Sequence, residues 1–182
     1  CTGGTASASL GTATNAFDND DATFWRTSST TSGWLRYTWA AAKKVWRYRF
    51  KTYPASAKCP KNWTFEGSND GTNWTVLDTH TSVTDYGETV VWRPYYEIPE
   101  ASRGLYTMYR INVSECVNAS HDPALTELEM NTVTGAYPVS IIYPLSMDVD
   151  CTDWMALKAL ARTETLNSQS IWYALSFDGG TT

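Results

Sequence analysis

Charge is scarce in this chain. Asp, Glu, Lys and Arg make up 18% of its 182 residues, and 14 basic against 19 acidic side chains leave a net charge of −5. The overall field therefore does not favour a nucleic-acid backbone as partner. No run of about eighteen apolar residues is present, which excludes a membrane-spanning helix. Only two histidines occur, His80 and His121. Neither stands in a nucleophile or metal-ligand motif, and no glycine-rich phosphate loop appears, so enzyme chemistry has few carriers. Four cysteines, Cys1, Cys59, Cys116 and Cys151, allow three complete pairings, among which sequence alone does not choose.

Aromatic residues are what the chain has in quantity, with 9 Trp and 11 Tyr. Large rings carrying a polar handle suit both a β-sheet core and the face of a sugar. Their spacing is that of strands. Leu35, Tyr37 and Trp39 share one face, and Trp34, Arg36 and Thr38 the other. Next, Trp46, Tyr48 and Phe50 oppose Val45, Arg47, Arg49 and Lys51, as a half-buried antiparallel strand requires. Tyr109, Ile111 and Val113, and then Leu128 and Met130, repeat the pattern. Turn-rich loops separate these runs at Ser28–Gly33, Pro54–Pro60, Ser82–Glu88 and Val117–Pro123. Many short strands at roughly ten-residue spacing predict an all-β, jelly-roll β-sandwich over residues 1–133. Residues 134–140 read as a linker, and 141–182 as the start of a second, truncated β-rich segment that forms a poor core by itself.

Two runs carry more than fold. Lys61-Asn62-Trp63-Thr64-Phe65-Glu66-Gly67-Ser68-Asn69-Asp70-Gly71-Thr72-Asn73-Trp74-Thr75-Val76-Leu77 predicts a β-hairpin, with Asp70-Gly71 supplying positive φ angles for a tight turn. Asn15-Ala16-Phe17-Asp18-Asn19-Asp20-Asp21-Ala22-Thr23-Phe24-Trp25 crowds carboxylates and a hydroxyl onto one turn. Such a turn can offer a hard cation the several oxygens calcium requires. It can equally be an Asp-rich turn held by side-chain to backbone hydrogen bonds. It is not an EF-hand, since the Gly and the distal Glu at the required spacing are missing.

Both runs closely resemble phrases of discoidin-like (coagulation factor type C) domains, galactose-binding-like β-sandwiches that include many carbohydrate-binding modules. The resemblance implies a structural calcium site. Asp18 and Glu127 would serve it by carboxylate, Thr23 by hydroxyl and carbonyl, and Asn15, Asp20 and Thr126 largely by backbone oxygen. Asn19 stands where the family usually has Gly, and it also tolerates positive φ. The family places its ligand on variable loops at one end of the sandwich, where this chain offers Arg26, Tyr53, Lys58, Asn118 and His121. Trp25, Trp34, Trp63 and Trp74 match packed positions. A bridge between the first and last strands, common in secreted relatives, would join Cys1 to Cys116; free buried thiols are the other reading.

The implied function is non-catalytic glycan binding and adhesion, extracellular or on a virion surface. The setting is a phage tail or fibre, since Ala174-Leu175-Ser176-Phe177-Asp178-Gly179-Gly180 resembles strand-turn units of such proteins, or a bacterial surface protein. The partner is a cell-surface glycan, with further virion or surface subunits possible and neither nucleic acid nor membrane insertion expected. The rival is a structural virion decoration or tail protein that uses the sandwich for protein contacts. Glu127 and Glu129, about 7 Å apart on one strand face, have a spacing that suits a glycosidase pair. A metal ligand beside a solvated residue is the simpler reading of them.

Overall fold

Aromatic residues at alternate positions drive two sheets together. In the computed structural model, which describes residues 1–133, five strands form one antiparallel sheet. They are β1 (Gly4–Ala8), β3 (Gly33–Lys43), β8 (Tyr106–Cys116), β5 (Pro60–Ser68) and β6 (Thr75–His80), in that spatial order. A three-stranded sheet places β4 (Val45–Lys51) between β10 (Glu127–Thr132) and β7 (Tyr96–Glu97). A short pair, β2 (Trp25–Arg26) with β9 (Ala124–Leu125), closes one end. This is the expected all-β jelly-roll sandwich. The expected linker and second β-rich segment, and Cys151, lie outside the described residues.

Register aligns the apolar faces. Leu35 pairs with Ile111 and Ile111 with Phe65, so one row of side chains crosses three strands toward the core. From the other sheet, Tyr48 stacks on Phe65 at 4.0 Å, and Phe50 meets Trp63 edge-on at 5.6 Å. Full burial of each such ring contributes about 1.5–3 kcal/mol, and each aromatic pair about 1 kcal/mol more. The polar handles stay paired: Trp63 Nε1 donates to Tyr48 OH at 3.0 Å, which donates to Asp78 at 2.9 Å.

The structure corrects the sequence reading in two places and, in a third, agrees with one of two readings left open. Val45, not Trp46, enters the core. Asn131 pairs with Arg47 while Thr132 pairs with Val45, so Trp46 is the extra residue of a β-bulge and turns outward, 4.2 Å from the Arg47 guanidinium. The hairpin turn is also longer than two residues: β5 ends at Ser68 and β6 begins at Thr75. Only Gly71 takes a positive φ there, 72°, while the Asp70 carboxylate accepts from the backbone of Thr72 (2.8 Å) and Asn73 (2.7 Å). Those bonds, led by Asn73, hold Asp70 well below the usual carboxylate range. Finally, Cys1, Cys59 and Cys116 are free thiols and no Cys1–Cys116 bridge forms. Burial pushes the Cys59 thiol up to about 11 and the Cys116 thiol to about 12.

Candidate functional site

A one-turn 3-10 helix, Ala13–Ala16, opens the acidic run and is anchored by the buried methyls of Ala13 and Ala16. The Asn15 side chain donates to Phe24 O at 3.2 Å, which ties the loop ends together and leaves the Asn15 carbonyl facing inward. Asn19 adopts φ 60°, the conformation a glycine would otherwise supply. The turn this creates brings Asp20 N to Asp18 Oδ1 at 3.0 Å and to Glu127 Oε1 at 3.1 Å, joining the first loop to β10. The Asp20 carboxylate itself faces away and accepts from Ala22 N at 2.9 Å.

The Thr23 hydroxyl lies at the centre of this loop. Its oxygen is 2.8 Å from Asp18 Oδ2 and 3.2 Å from the carbonyls of both Asn15 and Asp20. One hydroxyl has one proton. Three acceptors thus converge on a group that can satisfy one of them, and Glu127 closes the set from below. Burial, and then the charge of Asp18, push the Glu127 carboxyl up to about 7. Thr126 is buried, with its hydroxyl donating to Thr52 O at 2.8 Å, and it makes no hydrogen bond to the acidic loop among the described residues. Asp21 turns aside to Lys51 at 2.5 Å.

The structure therefore brings Asn15, Asp18, Asp20, Thr23 and Glu127 together. Their donors are two carboxylates with carbonyl and hydroxyl oxygens, and no cluster of three His, Cys, Asp or Glu occurs among the described residues. An all-oxygen set with excess negative charge fits calcium and does not fit zinc.

The second group of candidate residues collects at the end closed by β2 and β9. Pairing of Arg26 with Ala124 sets the guanidinium beside the loop 117–123, where it forms a salt bridge with Asp122 and donates through Nη2 at 3.2 Å. Lys58 reaches the same carboxylate at 2.6 Å. Arg26 first, with Lys58, holds Asp122 well below the usual carboxylate range. Tyr53 packs edge-on against Phe24 at 4.8 Å. Asn118 N donates to Ala57 O at 3.0 Å, and the Asn118 carbonyl and side chain cap His121 N and Ser120 N, so this loop is fastened to the one bearing Lys58. His121 Nδ1 is buried and has no hydrogen-bonding partner.

All five candidates thus share one end of the sandwich. Arg26 and Lys58 do not stand there as free cations, because Asp122 joins them. Sequence reasoning missed Asp122, although a carboxylate beside His121 in a loop facing two basic candidates was available as a signal. Phe24 was likewise missed, being visible only once it meets Tyr53.

Residues 2–97, a little over half of the chain, match the F5/8 type C domain family. The chain belongs to that family. The match includes the loop from Asn15 to Thr23 and residues Arg26, Tyr53 and Lys58, while Asn118, His121, Asp122 and Glu127 lie beyond it. Among solved structures, this F5/8 type C domain is similar to chitosan-binding module 1 of a chitosanase/glucanase from Paenibacillus sp. IK-5, at 22% identity over 71% of this chain and 95% of that one, TM-score 0.57. It is similar to CpGH89CBM32-5 from Clostridium perfringens, in complex with GalNAc-β-1,3-galactose, at 13% identity over 70% and 94%, TM-score 0.56. It is also similar to the family 32 module of C. perfringens NanJ, in complex with galactose, at 19% identity over 70% and 92%, TM-score 0.56. At such identities these likenesses speak for the fold. No curated protein matches the chain.

Proposed function

We propose that this domain is a non-catalytic glycan-binding module whose ligand seat is the end formed by Arg26, Tyr53, Lys58, Asn118, His121 and Asp122, and whose first loop is pinned to β10 by calcium. The observation that carries the reading is the buried His121 Nδ1 without a partner. A buried polar atom costs free energy unless something satisfies it, and a ligand hydroxyl can. The Arg26–Asp122–Lys58 group offers donors and an acceptor in fixed positions, and the Phe24–Tyr53 pair offers an apolar face for a sugar ring. Similar structures in complex with GalNAc-β-1,3-galactose and with galactose support the class of ligand.

Calcium supplies charge neutralisation at the loop when bound. Asp18 and Glu127 would hold it by carboxylate, with Thr23 and the carbonyls of Asn15, Asp20 and Thr126. The chain's own part is to converge those oxygens and to hold the loop closed against β10.

Catalysis by Glu127 and Glu129 is disfavoured by their surroundings. Glu127 is buried under the loop, and Glu129 is engaged by Arg49 (2.7 Å), Tyr95 OH (2.9 Å) and Asn131 (3.2 Å). Exposure outside the cell, on a phage virion or a bacterial surface protein, follows from this reading as its setting. A glycan array probed in calcium-containing buffer tests it. Saturable binding that weakens in His121→Ala supports the seat. No hit at all, together with tight association of the chain with other subunits, would replace it with a structural role.

A further inference from the structure

A different polar surface lies on the outward face of the three-stranded sheet. Arg47 contacts the rings of Trp46 and Tyr95 at 4.2 and 3.8 Å, Arg49 those of Trp92 and Tyr95 at 4.3 Å each, and Lys51 approaches Trp92 at 5.1 Å. Rings and cations alternate in a row in which each holds its neighbours. In the fold Arg49 is met by Glu129 at 2.7 Å and Lys51 by Asp21 at 2.5 Å, while Arg47 donates to the neutral Asn131 Oδ1 at 3.0 Å.

At the Trp92 end of this row a groove of about 530 Å3 opens over β10, and Phe17, Asn19, Trp92, Glu129 and Asn131 line it. None of its lining residues belongs to the loop end proposed as the ligand seat. Its volume lies within the range of small-molecule sites, about 300–1,000 Å3. Its aromatic wall is Trp92, fixed from behind by Arg49 and Lys51. The opposite polar wall is fixed as well, because Arg49, Tyr95 and Asn131 hold the Glu129 carboxylate and Arg47 holds the Asn131 amide. These bonds leave the Asn131 amide one further N–H, while Arg49, Tyr95 and Asn131 already fill the acceptor positions of Glu129. Asn19 adds an exposed side chain at the edge of the groove. Pre-set polar groups opposite an indole are what a pyranose needs, since its hydroxyls and its C–H face are then met without reordering the protein.

We propose that this groove is a second saccharide site, independent of the loop end, and that it takes a neutral pyranose. Neutrality follows from Glu129, the lining carboxylate that the proposed calcium site does not use, which is held as a carboxylate beside Arg49 and repels a sugar carboxylate. Titration of the isotope-labelled full chain in calcium-containing buffer tests this by NMR, with methyl β-galactopyranoside, N-acetylglucosamine and galacturonate as probes. Saturable shifts of the Trp92 indole and the Asn131 side-chain amide are expected with a neutral sugar and absent with galacturonate. They are lost in Trp92→Ala and in Asn131→Ala, and the second variant keeps the test valid should the first not fold. Shifts confined to residues around Arg26 and His121 would overturn the groove while sparing the loop seat. Equal shifts with galacturonate, or no groove shift with any probe, would overturn it too.

Discussion

Glu127 and Asp122 stand on the same closing stretch of the chain, and their surroundings drive them in opposite directions. Glu127 is buried beside Asp18 with no basic side chain in the loop, and its carboxyl is pushed up to about 7. Asp122 is met by Arg26 and Lys58 and is held ionised at any ordinary pH. The first cluster has negative charge without its counter-charge. The second is complete within the protein, apart from the bare His121 nitrogen. An identical functional group thus serves the proposed cation site in one place and the proposed ligand seat in the other. The difference lies in which elements the fold folds over it.

The largest expected effect breaks the first half of that contrast. Calcium at a hundred times its dissociation constant stabilises by about 2.7 kcal/mol, so chelation lowers the melting temperature of the wild type by several degrees. Glu127→Gln keeps the acceptor for Asp20 N but carries no charge. A carboxyl whose folded value is raised costs the fold stability as pH climbs from its unfolded value, about 4.3, to its folded value of about 7, and the full cost is present above that; above pH 7 with chelator the Gln variant therefore melts higher than the wild type. With calcium the order reverses. Thermal melts with and without chelator check both signs.

Asp122→Asn breaks the second half and leaves Arg26 and Lys58 without their carboxylate. A loss of about 1–2 kcal/mol is expected, reduced from the fully buried case because the Arg26 side chain is 34% exposed. The stability that Asp122 contributes is present above its unfolded value of about 3.9 and is lost as pH falls through its depressed folded value. The wild type therefore loses its advantage over Asp122→Asn on acidification below about pH 4, which denaturant titrations across pH measure. The two clusters share no partner, so the double variant Asp122→Asn with Glu127→Gln adds to within about 0.5 kcal/mol. The smallest effect is at Asp21, whose side chain is 58% exposed. Asp21→Asn changes stability by no more than about 0.5 kcal/mol.

What was legible in the sequence follows the same physics. Trp63, Phe65, Tyr109 and Ile111 declared themselves because period-two alternation is a local signal that burial obeys. The phase at Trp46 was not legible, since the bulge depends on how β10 pairs with β4. Asp70-Gly71 suggested a two-residue turn, but the Asp70 carboxylate organises a longer one through bonds to Asn73 that dipeptide preference does not encode. The loop from Asn15 to Thr23 advertised its acidity, while the convergence of three acceptors on one Thr23 hydroxyl needed the third dimension. Asp122 escaped because its meaning rests on Arg26 and Lys58, which are remote in sequence.

The seat at the loop end is tested most directly by the ring nitrogens of His121. Nitrogen NMR of the full chain, titrated with a glycan that the array identifies, is expected to move the His121 Nδ1 resonance saturably, in step with occupancy, while Asp122 stays ionised. Saturable binding of that glycan with the His121 ring unmoved would contradict the account.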